Sequence, residues 1–313
     1  MPSPLTIGVV GSTGFTGSHV CVELLERGHT VVGISRHPEK LGSHRNYVVK
    51  SVDVEHLSIA ELAEAFSGLH VLISCYGPHT AGAGALLYKP FIEVVRRLIL
   101  AVREVKNLYF IFIGGAGSLH IPGTIGTCTV DHPDFFVAYR RAIADSEAHT
   151  SYMEERLGHM GDALRKFRNA RMAERRGEAT EETRSFIENY EAEAKSRDHA
   201  LDFIQAGRTA FMFFDGNTLF DWTFVSPPPL YRSGTGTGSY AVAVDDVPLT
   251  GSQTTDNMFE GRLTGITAPD LAAAVADEAE RRSYKGQHWT VSGDLSDDRP
   301  MSSYRTIDQL GSS

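Results

Sequence analysis

Short apolar runs alternate with amphipathic stretches along the first third of the chain. Residues 5–10 and 30–34 have the length and composition of buried strands, and the stretch between them places Val20 and Leu24 on one helical face. The same pattern predicts strands over 47–53, 70–74 and 108–113, and helices over 58–66 and 91–105. Alternation at this pitch predicts an α/β fold: a doubly wound, Rossmann-type parallel sheet with right-handed crossovers.

The pattern changes between residues 141 and 200, where the chain becomes charged and helical. A narrow apolar stripe at steps of four and three residues is formed by Met153, Leu157, Met160, Leu164 and Phe167. A second stripe begins after a break at 177–180. We predict two helices packed as an inserted hairpin. Its charges are expected to form solvated faces, with a substrate lid or a dimer contact as the alternatives.

A glycine-rich turn lies between the first predicted strand and the first predicted helix. Its sequence, Gly11-Ser12-Thr13-Gly14-Phe15-Thr16-Gly17, has the spacing G-x-x-G-x-x-G, which differs from the G-x-G-x-x-G dinucleotide fingerprint. Glycines allow a sharp turn and a close approach of pyrophosphate to the free N–H groups of the helix. The turn therefore predicts a dinucleotide site, and a glycine turn without a nucleotide is the alternative.

The residues after the second predicted strand indicate which dinucleotide would bind. An acidic residue at this point accepts hydrogen bonds from the ribose hydroxyls of NAD, but this chain has Arg36, followed by His37. A guanidinium group matches a 2′-phosphate and cannot accept a hydrogen bond from a hydroxyl. We therefore expect NADP(H) rather than NAD(H); the alternative is a solvated arginine at a strand end.

The rest of the chain completes the predicted organisation. A helix over 268–281 and a strand over 288–291 continue the α/β pattern, whereas the tail beyond residue 298 is polar and weakly patterned. We predict an NADP(H)-binding Rossmann core over 1–140, the hairpin over 141–200, the remaining core with a smaller C-terminal substrate-binding part over 201–298, and a loose tail over 299–313.

Composition and charge narrow the function classes. The chain has 313 residues, 42% of them hydrophobic, and a net charge of −9, which disfavours nucleic acid as a partner. It has no apolar run near the ~20 residues of a membrane span, and no signal-peptide pattern. Three widely spaced cysteines, Cys21, Cys75 and Cys128, fit a reducing compartment. We expect a cytoplasmic protein that binds a small molecule and no membrane, with a homodimer possible.

Motifs for other chemistry do not occur. The sequence has no His-x-x-x-His or Cys-x-x-Cys pair and no clustered carboxylates with ligand spacing, so no metal is expected. The segment 115–119 lacks the second glycine of a Gly-x-Ser-x-Gly elbow, which disfavours hydrolase chemistry.

A motif at the end of the fifth predicted strand is more specific. The segments Gly114-Gly115-Ala116-Gly117-Ser118-Leu119, Val130–Phe135, Tyr139 and Asp221–Pro227 occur in this order. Together with the N-terminal glycine turn they resemble the NAD(P)H-binding, NmrA-like branch of the atypical short-chain dehydrogenases/reductases, over nearly the whole chain. This family includes reductases, redox-sensing regulators and members that catalyse redox-neutral steps in secondary metabolism.

The resemblance implies a set of cofactor-binding residues. Gly11, Thr13, Gly14, Phe15, Thr16 and Gly17 would line the pyrophosphate, with Arg36 and His37 at the 2′-phosphate and Asp53 beside the adenine. Ser74, Cys75, Tyr76 and Gly77 would follow the ribose, and Gly114, Gly115 and Ala116 would border the nicotinamide. For Asp53 a capping or turn role is the alternative.

The resemblance breaks down at the catalytic tyrosine of the wider superfamily. Four residues after Tyr139 the chain has Ile143 where that superfamily has lysine. A lysine there would lower the pKa of the tyrosine, and only Arg140 or Arg141 could replace it in part.

Proton donors for a reductase are expected near the cofactor. The candidates are Ser118, Tyr139, His79, Tyr76 and His120. Each has an ordinary structural alternative: a turn serine, a core tyrosine or an exposed loop histidine. Aromatic residues predicted near the cleft favour a hydrophobic, aromatic or polycyclic substrate, and they are Tyr76, Phe135, Phe136, Phe211, Phe213, Phe214 and Tyr231.

Three functions follow from these observations. The first is an NADP(H)-dependent reductase. The second is a redox-neutral isomerase or cyclase on the same scaffold, which the missing lysine motivates. The third is an NADP(H)-sensing regulator that contacts a protein partner through the hairpin. Turnover of the cofactor with any substrate would separate the first from the other two.

Overall fold

A central sheet organises the molecule, which is described as a computed structural model over residues 3–77, 88–196, 201–296 and 303–310. The strands are β1 (Thr6–Val10), β2 (Thr30–Ser35), β3 (Tyr47–Ser51), β4 (Val71–Ser74), β5 (Tyr109–Ile113), β6 (Asp221–Val225), β7 (Leu230–Arg232), β8 (Ala241–Val244), β9 (Gly265–Thr267) and β10 (His288–Ser292).

Helices connect most of these strands. They are α1 (Phe15–Glu26), α2 (Ile59–Phe66), α3 (Tyr88–Glu104), α4 (Pro133–Asp145), α5 (Glu147–Leu157), α6 (Asp162–Arg175), α7 (Glu181–Ser196), α8 (Leu201–Phe211) and α9 (Ala268–Arg281). Local sequence sets their starts. For example, α2 begins with a capping box in which the Ser58 N–H donates to Glu61 at 2.8 Å and the Glu61 N–H donates to Ser58.

The strand order confirms the predicted fold class. Eight strands form one sheet in the order β3-β2-β1-β4-β5-β6-β10-β8, in which all neighbours pair in parallel except the antiparallel β8. β7 and β9 form a separate parallel pair. The chain order reverses between β1 and β4, and a ligand cleft is expected at the carboxyl ends of the strands beside this switch point.

The two faces of the sheet are buried separately. Val20 and Leu24 of α1 pack with Leu271 and Val275 of α9 on one face. α2, α3 and α8 cover the other face, where Phe66 and Leu98 are buried. Burial on both faces explains why the strands are nearly continuous in apolar residues.

The inserted segment differs from the predicted two-helix hairpin. The apolar stripe that predicts one long helix is divided between α5 and α6, because Gly158 adopts a φ of +57° and a short 3-10 turn follows over Gly158–Gly161. Phe167 of α6 stacks on Tyr190 of α7 with ring centroids 4.2 Å apart. Three helices therefore form the insertion, and only α6 and α7 make a hairpin.

The charges of the insertion are organised rather than simply solvated. Arg165 and Arg168 both pair with Glu147 at 2.7 and 2.8 Å, and Arg141 of α4 pairs with Glu191 of α7 at 2.6 Å. Arg176 and Glu178 do form an exposed pair. The ion pairs connect α4, α5, α6 and α7, so the expectation of solvated faces holds for only part of this surface.

The C-terminal tail is not loose over its described residues, 303–310. Ile307 is 4% exposed and packs into the cluster under α1, and Ser303 donates to Glu155 at 2.6 Å. The Arg305 N–H donates to Ser18 at 3.2 Å. One buried isoleucine among polar residues leaves too weak a pattern to be recognised in the sequence.

The helices were also compared with the length and hydropathy that a membrane span needs. None of those within the described residues is both long and apolar enough to cross a bilayer.

Candidate functional site

A cleft of about 560 Å³ opens beside the switch point, at the carboxyl ends of β1, β2, β3 and β4. Many of the residues predicted to bind the cofactor line it. They are Gly11, Thr13, Gly14, Phe15, Thr16, Arg36, His37, Asp53, Cys75, Tyr76 and Gly77.

The glycine turn brings α1 close to the end of β1. Gly11 has a φ of +76°, and its N–H donates to Ile34 at 2.9 Å. A Cβ added at Gly17 would lie 2.1 Å from the Gly11 carbonyl oxygen, so only glycine allows this contact. Gly14 caps α1 without a side-chain hydrogen bond, which leaves N–H groups of the first turn available to an anion. Gly17 thus shapes the turn without lining the cleft.

The end of β2 supplies positive charge to the cleft. Arg36 is exposed, and its guanidinium makes no hydrogen bond or ion pair with any residue in the described ranges, although its backbone carbonyl accepts from the Ser51 hydroxyl at 3.0 Å. Lys40 lies in the same wall, and His37 faces Glu39 at 3.4 Å. Asp53 accepts a hydrogen bond from the Glu55 N–H at 3.1 Å, so it has the turn role considered for it and also lines the cleft.

The end of β4 forms the opposite wall. Cys75 and Gly77 reach the cleft, whereas Ser74 is fully buried beneath it. The Tyr76 hydroxyl donates to Glu55 at 3.0 Å, and its ring stacks on Phe91. Burial and the neighbouring Glu55 carboxylate raise the pKa of Tyr76, so its hydroxyl is a poor acid.

Several residues that line the cleft were not predicted from the sequence. They are Lys40, Glu55, Arg156, Tyr304, Arg305 and Thr306, apart from backbone and apolar neighbours of the predicted set. Arg156 comes from α5, and Tyr304, Arg305 and Thr306 come from the C-terminal segment. Both segments are far from the glycine turn in sequence and carry no motif, so only the folded chain reveals them.

Ser118 lies in a buried polar cluster outside the cleft. Its hydroxyl contacts the Ser226 hydroxyl at 2.8 Å and the Gly115 carbonyl at 2.9 Å, and His288 Nε2 lies 3.3 Å away. Ser226 contacts the same nitrogen at 2.9 Å. All three side chains are at most 2% exposed. Here Ser118 fits the turn-serine alternative, since it bonds the carbonyl three residues before it.

Burial makes His288 a weak base in this cluster. Burial, with a smaller contribution from the nearby His120, lowers its pKa to about 3. Asp245 Oδ1 lies 3.6 Å from Nδ1, beyond hydrogen-bond distance, and Nδ1 has no partner in the described residues. The cluster thus lacks the carboxylate hydrogen bond that orients the histidine of a Ser-His-Asp triad.

Tyr139 and His120 also lie outside the lining of the cleft. Tyr139 on α4 is half-buried and stacks on Phe135 with ring centroids 6.0 Å apart. Burial raises its pKa, and Arg140 and Arg156 oppose this effect. Of the two arginines considered as lysine replacements, Arg141 is paired with Glu191 and Glu260, so only Arg140 remains near the ring. The ring of His120 lies 6.3 Å from that of His288.

The proton-donor candidates therefore do not converge on one point. Tyr76 lines the cleft, Ser118 and His120 lie around His288, and Tyr139 packs within the α4 region, while His79 falls outside the described residues. Gly114, Gly115 and Ala116 are partly exposed at the end of β5 but do not line the cleft. The described residues contain no group of three or more His, Cys, Asp or Glu side chains placed to hold a metal.

The aromatic residues predicted near the cleft are mostly core residues. Phe135, Phe136, Phe211 and Phe214 are at most 8% exposed within the apolar clusters. Of the predicted set, Tyr76 lines the cleft and Tyr231 packs against Phe15, which the aromatic prediction did not include. The Phe15 ring also lines the cleft, and it lies 4.9 Å from Tyr152, 5.3 Å from Tyr231 and 6.2 Å from Tyr304, between centroids.

Comparison with known proteins also indicates an NAD(P)H-binding site in this part of the chain. Residues 11–155 match a family model described as NAD(P)H-binding. The uncharacterized protein YwnB of Bacillus subtilis is 28% identical over 131 residues, which cover 42% of this chain and 57% of that protein. Cinnamoyl-CoA reductase 2 of Medicago truncatula is 27% identical over 136 residues, or 40% of each protein. The match thus spans less than two thirds of either relative.

A solved structure extends the similarity to nearly the whole chain. A candidate epimerase from Bacteroides thetaiotaomicron is 24% identical and superposes with a TM-score of 0.61, covering 94% of this chain and 99% of that one. Similarity at this identity shows the fold, including the part of the chain beyond residue 155.

Proposed function

We propose that this chain is an NADP(H)-dependent reductase of a hydrophobic, aromatic small molecule, similar to the NmrA-like atypical short-chain dehydrogenases/reductases that its sequence resembles. The match of residues 11–155 to a family model described as NAD(P)H-binding supports the cofactor class. The observation that carries the cofactor choice is Arg36, an exposed guanidinium without a protein partner among the described residues, in the same cleft as the glycine turn.

The residues present fit such a cofactor. The close contact of Gly17 with Gly11 leaves the first turn of α1 open to a pyrophosphate. Arg36 and Lys40 would hold the 2′-phosphate, and Asp53 lies on the same side for the adenosine part. Cys75, Tyr76 and Gly77 would follow the ribose. When bound, the nicotinamide would supply the hydride that reduces a carbonyl, imine or conjugated double bond.

The substrate class is proposed from the surface beside the glycine turn. Phe15 and Tyr304 form an aromatic wall of the cleft, and Tyr152 and Tyr231 pack against Phe15 in a buried cluster behind it. Aromatic walls with a few polar groups are typical of sites for flat, apolar ligands. Of the predicted proton donors among the described residues, Tyr76 is the one that lines the cleft. Its hydroxyl would have to give up the hydrogen bond to Glu55 in order to donate to substrate.

Functions without net hydride transfer form the second candidate. The burial of Ser118 and the position of Tyr139 favour it, because these candidate donors do not line the cleft. A redox-neutral catalyst or a nucleotide sensor would still bind NADP(H) through Arg36.

A turnover assay tests the reductase proposal. Purified protein is mixed with NADPH and a panel of aromatic ketones, quinones and imines, and the nicotinamide absorbance is followed. Oxidation of NADPH that depends on both protein and substrate supports the reductase. Binding of NADPH without oxidation across the panel would contradict it and favour redox-neutral catalysis or sensing.

A further inference from the structure

Arg156 is a cation of the inserted helix α5 that reaches the cofactor cleft. It is half-buried, and its Cζ lies 5.8 Å from the centroid of the Phe15 ring. It lines the cleft together with Gly14, Phe15 and Thr16, and it also borders a small adjoining recess with Tyr152 and Tyr304.

Other arginines of the insertion differ from Arg156 in their partners. Each of the following has a carboxylate within 4 Å: Arg165, Arg168, Arg171, Arg175 and Arg176. Arg156 has no carboxylate partner among the described residues. A half-buried guanidinium without a counter-ion is costly, so an anion that enters the cleft would gain a strong, charge-assisted hydrogen bond.

Aromatic rings surround this guanidinium. The rings of Tyr152, Tyr231 and Tyr304 pack around Phe15, and the Tyr231 hydroxyl contacts Thr16 Oγ1 at 3.0 Å. Rings stabilise a cation through their faces, and the hydrogen bond between Tyr152 and Arg156 uses only part of the five N–H donors of the guanidinium. They also exclude water, which strengthens the attraction between the guanidinium and an anion.

The position of Arg156 indicates which anion it takes. Phe15 and Thr16 form the first turn of α1, where a dinucleotide pyrophosphate would be held by N–H groups. Arg36 lines the same cleft after β2, where the proposed function assigns it to the 2′-phosphate. We propose that Arg156 binds the pyrophosphate of the cofactor, so that the inserted helix α5 contributes to the cofactor site.

This inference rests on the proposed NADP(H) binding, and two probes separate it from that proposal. ADP-ribose contains the pyrophosphate but no 2′-phosphate, and adenosine 2′-monophosphate contains only the 2′-phosphate. The affinity of each probe is measured by calorimetry for the wild type, Arg156→Gln, Arg156→Lys and Arg176→Gln. The last variant is the matched control, because Arg176 is an exposed arginine of the same insertion, paired with Glu178.

We expect Arg156→Gln to weaken ADP-ribose about tenfold to a hundredfold, as for one charge-assisted hydrogen bond. The affinity for adenosine 2′-monophosphate should stay within about twofold. Arg156→Lys should retain part of the ADP-ribose affinity, and Arg176→Gln should change neither probe. The salt dependence of ADP-ribose binding should also become shallower in Arg156→Gln, which loss of packing alone would not cause.

Two results would overturn the inference in different ways. Unchanged ADP-ribose affinity in folded Arg156→Gln, with the wild type binding both probes, contradicts the role of Arg156 alone. Failure of the wild type to bind either probe contradicts the proposed cofactor site as well.

Discussion

At the scale of single residues, the site brings a few cations together in an acidic protein. The chain carries a net charge of −9, yet Arg36, Lys40, Arg156 and Arg305 all line the cleft. Asp53 and Glu55 are the acidic residues in the same lining. A local excess of positive charge attracts a phosphate-bearing ligand, whereas the net negative charge of the chain disfavours adsorption of nucleic acid.

A second residue-scale consequence concerns stability at low pH. Burial lowers the pKa of His288 to about 3 and that of His19 to about 4, so both are neutral in the folded protein at pH values where the unfolded chain takes up a proton. Their contribution to stability is complete above the unfolded value of 6.5 and is lost as the pH falls below it. We expect each of the two buried histidines to lower the free energy of unfolding by about 2 kcal/mol as the pH falls from about 7 to about 5.

The His288→Gln variant tests this prediction. Urea unfolding gives the free energy of unfolding at the two pH values. In this variant the difference between the two values should be about 2 kcal/mol smaller than in the wild type. His56→Gln is the control, because this histidine is 81% exposed and its replacement removes a surface imidazole instead of a buried one. The same pH dependence in His288→Gln and the wild type would contradict a neutral, buried His288.

At the scale of elements, two segments without motifs complete the cleft. α5 brings Arg156, and the segment 303–310 brings Tyr304, Arg305 and Thr306. That segment is attached to α1, where His19 Nε2 contacts the Ser303 carbonyl at 3.0 Å and Ser18 accepts from the Arg305 N–H. Because α1 also carries the glycine turn, the C-terminal segment and the pyrophosphate region are held by the same helix.

We therefore expect Ile307→Ala to affect both folding and binding. Removing this buried side chain should lower the free energy of unfolding by about 2–4 kcal/mol. NADPH affinity should also fall, since the lining residues 304–306 lose their attachment. Asp308→Ala is the control, because Asp308 is exposed in the same turn. Thermal unfolding with and without NADPH gives both quantities, and a destabilised variant with wild-type NADPH affinity would contradict the link between segment and cleft.

The regular elements were predictable from local patterns, whereas the insertion was predicted only in part. The helix over 268–281 and the capping box at Ser58 follow from sequence alone, because their signals lie within a few residues. The division of α5 from α6 depends on one glycine in a left-handed conformation, which periodicity does not reveal. The ion pairs of Glu147 with Arg165 and Arg168 could not be predicted either, because they depend on how α5 packs against α6.

At the scale of the whole molecule, the sheet order brings the glycine turn, Arg36 and Cys75 together at the carboxyl ends of neighbouring strands. The sequence predicts this arrangement for a doubly wound fold. The burial of Ser118 and Phe135 could not be predicted, because strand ends and aromatic residues occur equally in sites and in cores. Neither could the contribution of distant segments such as 303–310, since these contacts join residues almost a whole chain apart.

The central claim is that this cleft binds NADP(H) through Arg36, and comparison of NADPH with NADH tests it most directly. Nicotinamide fluorescence titrations would give both dissociation constants for the wild type, Arg36→Ala and Arg45→Ala, the last being an exposed arginine outside the cleft. The wild type should prefer NADPH, and Arg36→Ala should weaken NADPH by ~1–3 kcal/mol with NADH nearly unchanged. Arg45→Ala should alter neither. Equal affinity of the wild type for both cofactors, or equal losses in Arg36→Ala, would contradict the claim.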